Sequence, residues 1–245
     1  MKYRFVITLA ALLLLGACRQ FSVPKTEEGQ DSTAKSEQPA TRELNIIKKH
    51  ISIPFDFSYI TNLGSVDIIY TQGNYSIDAE GDSALLNYLV TEFDSNVLTV
   101  NVQTDNSTEF NKFGGISNIK LYVSAPELKC VSICGNGGFE SQATWRTENL
   151  QLGVLSIGKM SLGRVECTTF DLQSSDIGDI TLTDLHADDA TIYSRSSANI
   201  NANIDVKNLV VINDGKQKMK LTGKAQHVVI KNPNDLNLIN ELTKF

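Results

Sequence analysis

The chain has 245 residues, a formal net charge of −6 at neutral pH, 41% hydrophobic residues and 7% aromatic residues. An acidic chain gains nothing from phosphate electrostatics, which argues against nucleic acid as a partner. The length beyond the first forty or so residues suffices for one or two domains with a real core.

Met1–Gly16 has the parts of a secretory leader. Lys2 and Arg4 make the positive start, Phe5–Leu15 is an apolar run, and small residues Gly16 and Ala17 follow. The run is shorter than the roughly 20 residues of a membrane span. Leu15-Gly16-Ala17-Cys18 resembles the lipobox of bacterial lipoproteins. That resemblance implies that residues 1–17 are a signal peptide and that Cys18 becomes the lipidated first residue, a membrane anchor. Lipoproteins with an inner-membrane retention signal carry Asp after the cysteine; Arg19 stands there instead, which favours the outer membrane. Losing Lys2 and Arg4 with the leader takes the formal charge from −6, by two, to −8.

Residues 18–42 are rich in Ser, Thr, Glu, Gln, Lys and Pro, a composition expected of a disordered tether. From Asn45 the pattern turns to strands. Ile51, Ile53, Phe55 and Phe57 alternate strictly, as do Val66 and Ile68, and then Tyr75, Ile77 and Ala79. Period two predicts half-buried strands. Thr71–Asn74 predicts a turn, Gly81–Ser83 a cap before a short helix or turn over Ala84–Val90, and Val97–Val102 and Ile119–Val123 two further strands. Asp105–Gly115 predicts a surface loop, within an N-terminal β-rich part over residues 43–125.

Residues 126–232 repeat. Val131, Leu152, Leu172, Ile192, Val211 and Ile230 recur about every 20 residues. Parallel columns run Phe139, Met160, Ile180, Ile200, Met219, and Ser141, Leu162, Leu182, Ala202, Leu221. Trp145, Val165, Leu185 and Ile204 make a fourth, and Thr147, Cys167, Ala187, Val206 and Ala225 a fifth. Short alternating runs in each repeat predict an all-β single-stranded parallel β-helix, with the N-terminal β-rich part stacked on it. A β-sandwich would not require columns to stay in phase. Gly137, Gly158, Gly178 and Ala198 mark a corner where a Cβ would clash or a positive φ is needed. Lys216, Lys218 and Lys220 alternate on what should be the last rungs, suiting edge protection. In the C-terminal cap, residues 233–245, the spacing of Leu236, Ile239, Leu242 and Phe245 predicts a short helix.

Val66-Asp67-Ile68-Ile69-Tyr70-Thr71-Gln72-Gly73, the strand Val97–Val100 and the rungs Ser132–Phe139 and Ser175–Ile180 resemble the putative auto-transporter adhesin, head GIN domain family. The entry Phe57–Ile60 and the stretch Asp82–Leu86 extend the resemblance, which spans roughly residues 43–232. It implies a β-solenoid envelope protein whose activity is unassigned.

No catalytic motif stands out. His50, His186 and His227 lack metal-ligand spacing. Cys130 and Cys134 sit on one strand, roughly 13 Å apart at 3.3 Å per residue, too far for a bridge. Cys167 reads as a buried filler and Trp145 as core. Asp176, Asp179, Asp184, Asp188 and Asp189 lie at corners, where carboxylates are usually solvated. The expectation is therefore a non-enzymatic envelope lipoprotein without cofactor or metal, anchored at Cys18. Its partner would be a glycan, a matrix component or another envelope protein. The rivals are a polysaccharide-active β-helix enzyme, using Asp176 or Asp179, and a purely structural spacer.

Overall fold

A computed structural model describes residues 44–103, 118–195, 197, 199–216, 218–231 and 238–243. The leader, Cys18, the tether, the Asp105–Gly115 loop, Ala198, Leu236 and Phe245 lie outside the described residues. The described elements are β1 (Ile46–His50), β2 (Tyr59–Asn62), β3 (Val66–Gln72), β4 (Ser76–Asp82), a 3₁₀ turn at Leu85–Tyr88, β5 (Leu89–Asp94), β6 (Val97–Val102), β7 (Ile119–Ala125) and β8 (Cys130–Ile133). Then come β9 (Phe139–Ser141), β10 (Trp145–Arg146), β11 (Asn149–Val154), β12 (Met160–Ser174), β13 (Ile180–Ser194), β14 (Ile200–Asn213), β15 (Met219–Lys231) and β16 (Leu238–Thr243).

The second half is a β-solenoid. Strands β12 to β15 each run through one rung and pair in parallel with the rung before and after. The sequence columns are register partners: Leu152 faces Val131 and Leu172, Leu172 faces Ile192, Ile192 faces Val211, and Val211 faces Ile230. Each rung has three short faces, typified in β12 by Met160–Leu162, Val165–Cys167 and Phe170–Ser174, with alternate residues buried.

The columns do not stop where the period stops. Val131 also faces Ile60, and Ile60 faces Leu98. Phe139 faces Ile68, and Ile68 faces Leu121. The first and third faces therefore continue into the N-terminal strands as parallel ladders. Antiparallel strands end both runs: β4 and β1 on one, β5 on the other. The middle face begins only at β10. There Trp145, fully buried, stands 4.9 Å from the Tyr70 ring and 5.8 Å from the Phe139 ring, and donates its indole N–H to Leu128 O at 3.0 Å. This aromatic cluster fills the core where a previous rung is missing its middle face.

Three expectations are corrected. Ile51–Phe57 is not a strand. Pro54 has no N–H to give a ladder, and Phe55 is 68% exposed, while Ile51 and Ile53 are partly buried against the core and Phe57 turns in fully against Tyr75 and Phe93. The C-terminal stretch is not helical over its described part: β16 pairs in parallel with β15, Leu238 on Met219 and Leu242 on Gly223. A strand satisfies the open ladder groups of β15, whereas a helix would leave them bare. Lys220 consequently does not guard an edge; its Nζ lies 3.3 Å from Glu241 Oε2 on the covering strand.

At the corner, a Cβ on Gly137 would stand 2.0 Å from Val66 O, one on Gly158 2.1 Å from Gly137 O, and one on Gly178 1.8 Å from Gly158 O. Close stacking of backbone on backbone excludes a side chain here; among the described residues the only glycine with positive φ is Gly223, at +100°. Gly158→Ala should cost roughly 1–3 kcal/mol by overpacking. Gly153→Ala, whose Cβ meets nothing nearer than 3.5 Å, should stay within about 0.5 kcal/mol. Urea denaturation of the two variants tests this. Trp145→Ala should cost roughly 3–5 kcal/mol in the same assay.

Candidate functional site

Side chains pointing outward are stacked as regularly as those pointing in. On the middle face Arg146 faces Glu166, Glu166 faces His186, His186 faces Asp205, and Asp205 faces Lys224. Beside this column Arg164 faces Asp184. In-register parallel pairing places each of these groups about one strand spacing, roughly 4.8 Å, from the next.

The charges form one relay. Arg146 Nε donates to Glu166 Oε2 at 2.8 Å, and Arg164 Nε donates to Glu166 Oε1 at 2.7 Å. Arg164 Nη1 donates to Asp184 Oδ2 at 2.8 Å, and the other oxygen of Asp184 lies 2.8 Å from His186 Nε2. The relay ends at His186 Nδ1, which faces Asp205 Oδ2 across 3.9 Å. The Arg164 hydrogen bond, with help from Arg146, holds the Glu166 carboxyl below its ordinary value of 4.5. Asp184 in turn fixes the plane of the imidazole.

Beside the relay runs a groove of about 350 Å³. Its floor is the column of modest-sized residues Cys167, Ala187 and Val206. One wall is Glu166, His186 and Asp205; the other is Asp188, Lys207 and Gln226. Lys207 Nζ lies 2.7 Å from Asp188 Oδ1. An imidazole oriented by a carboxylate can act as a base, but the thiol on the floor is no nucleophile. Burial, and secondarily the charge of Asp171, push Cys167 up to about 12. Burial also raises Cys130, a free thiol, to about 11.

The other residues singled out in the sequence are dispersed. Asp179 Oδ1 accepts from the backbone N–H of Asn199 at 2.9 Å, stapling its corner to the next rung. Asp189 Oδ1 accepts from Asn208 Nδ2 at 2.7 Å. His50 pairs with Asp78 at 2.9 Å on β1 and β4, far along the chain from His186. No group of His, Cys, Asp and Glu among the described residues is arranged to hold a metal ion. The sequence groups Asp184 and Asp188 at one solvated corner but gives His186 no partner, and Glu166, Asp205 and Lys207 do not stand out in it. The signal was present as a spacing of 19 to 20 between outward charges, the same period as the core.

The family model of the putative auto-transporter adhesin, head GIN domain, matches residues 56–184. The chain belongs to that family. Among solved structures it is similar to a putative adhesin from Bacteroides fragilis, 14% identical, covering 84% of this chain and 99% of that one with a TM-score of 0.61. It is also similar to a putative lipid binding protein from Parabacteroides distasonis, 15% identical, covering 82% and 97% with a TM-score of 0.50. At these identities the likeness shows a common fold. A comparison with curated proteins gives no match. No helix among the described residues is long and apolar enough to cross a membrane.

The depressed Glu166 sets a pH test. A carboxyl with a lowered folded pKa stabilises the fold above its unfolded pKa, and that stabilisation is lost as pH falls through the folded value. Glu166→Gln should therefore lower the melting temperature slightly at pH 7, and the gap to the native chain should close below about pH 4. Calorimetry at several pH values measures both.

Proposed function

We propose that this head GIN domain is a non-enzymatic binding module of the cell envelope. The leader and lipobox-like segment would anchor it through Cys18, most simply in the outer membrane, and the tether would let the solenoid reach a glycan, a matrix component or another envelope protein. The observation that carries this reading is the outward stacking of charged side chains over five successive strands, on a backbone rigidified by continuous ladders. Such a surface is preorganised, so little conformational entropy is lost on binding. Membership of a family named for adhesins, and the likeness to a solved structure described as a putative adhesin, agree with it. The corner carboxylate Asp179 is occupied in holding its neighbour, which weighs against a hydrolytic role for it.

Protease shaving of intact cells, with an epitope at the C-terminus, tests the reading. The native protein should be shaved from the surface, and a Cys18→Ala form should be lost from the membrane fraction. Full protection until the outer membrane is opened would overturn the outward-facing model. Turnover of a polysaccharide, abolished by Asp179→Asn, would replace the binding module with an enzyme.

A further inference from the structure

The groove beside the relay has a recognisable ligand chemistry, and naming it rests on the binding-module reading above. His186 Nε2 is engaged by Asp184, so Nδ1 is the ring nitrogen left to face a ligand. It faces Asp205 Oδ2 at 3.9 Å. The gap is longer than a hydrogen bond and admits a hydroxyl, which can accept from a ring N–H and donate its single proton to the carboxylate. The relay through Asp184 and Arg164 holds the imidazole in place, so this pair is a built feature rather than a chance approach.

The rest of the groove narrows the choice. Its floor, Cys167, Ala187 and Val206, is apolar and low. The opposite wall offers donors, the Lys207 ammonium and the Gln226 amide, beside the Asp188 carboxylate. Such a site wants a ligand with an apolar face and a rim of groups that both donate and accept. A pyranose ring has that form: C–H groups on one face and hydroxyls around the edge. An ammonium only donates, so it offers nothing to accept from the Gln226 amide N–H groups. Glu166, Asp188 and Asp205 outnumber Lys207 among the formal charges of the walls, so a sugar carboxylate or sulfate is repelled. The volume of about 350 Å³ sits at the small end of the roughly 300–1,000 Å³ of small-molecule sites, which suits a mono- or disaccharide unit of a longer chain.

We propose that the groove floored by Cys167, Ala187 and Val206 binds a non-anionic saccharide, with a ring hydroxyl bridging His186 Nδ1 and the Asp205 carboxylate. Asp205 and His186 are the residues that set specificity, and Lys207 and Gln226 serve the far edge of the ring.

Calorimetric titration of the purified full chain with maltotriose, cellotriose, mannotriose and chitotriose tests this, with trigalacturonate and a pentalysine peptide as controls. At least one of the four uncharged sugars should bind saturably, and neither control should. Asp205→Asn should weaken that binding about tenfold, the scale of one hydrogen bond to a charged group. Ala187→Leu, which fills the floor, should abolish it; Asp205→Asn, at a half-exposed position, keeps the test decisive if the filled variant misfolds. Binding of a neutral sugar that neither variant alters would overturn the groove while leaving the binding-module reading standing. Binding of pentalysine or trigalacturonate alone would overturn the saccharide chemistry in favour of a basic protein segment or an acidic glycan. No binding by any of the four sugars overturns the proposal, whereas the binding-module reading stands or falls separately on the shaving experiment.

Discussion

In-register parallel pairing is the constraint on which the molecule depends. A parallel ladder places each residue directly over its partner on the previous rung, so a residue type suited to one rung must suit the next. Inside, this produces columns of buried aliphatic residues such as Leu152, Leu172, Ile192 and Val211. At the corner it brings backbone onto backbone, and Gly158 and Gly178 follow because a Cβ has nowhere to go. Where the chain needs to break the pattern it does so locally, as at Gly223, which takes a positive φ in the column below which Ile204 lies.

Stacks have ends, and the two ends here are solved differently. At the N-terminal end the ladders pass into β4, β1 and β5, which run antiparallel and so stop the parallel repeat. Trp145, Tyr70 and Phe139 supply the volume that a full previous rung would have filled. At the C-terminal end β16 adds one more parallel strand over part of β15, and its Glu241 meets Lys220.

The same stacking explains why the outer surface is ordered. Exposed charges on a flexible loop would trade partners; on consecutive rungs, Arg146, Glu166, Arg164, Asp184 and His186 are held a strand apart and form one hydrogen-bonded chain. Each exposed pair contributes little to stability. Together they fix the orientation of an imidazole at the rim of a groove, which is how a scaffold built for packing acquires a surface capable of recognition.

The sequence alone determined the solenoid. Its period, its buried columns, its tight corner and the packing of Trp145 were all readable because consecutive rungs are consecutive in the chain; Cys167, expected as a buried filler, is instead half-buried at the floor of the groove. Val131 and Ile60 are stacked neighbours that stand 71 positions apart, and no period connects them. The continuation of the columns through Ile60, Leu98, Ile68 and Leu121 was therefore decided only by tertiary structure. So was the fate of two ambiguous stretches. Ile51–Phe57 alternates like a strand but leaves β4 after the single bond from Ile51 N–H to Ile77 O, and Leu238–Thr243 can be spaced like a helix but lies against open hydrogen-bonding groups. The relay was half legible: its charges follow the core's own spacing, but which carboxylate meets which cation depends on side-chain reach across rungs. Local pattern sets which face a residue takes, whereas pairing between distant segments sets what that face meets, and only the folded backbone carries the second kind of information.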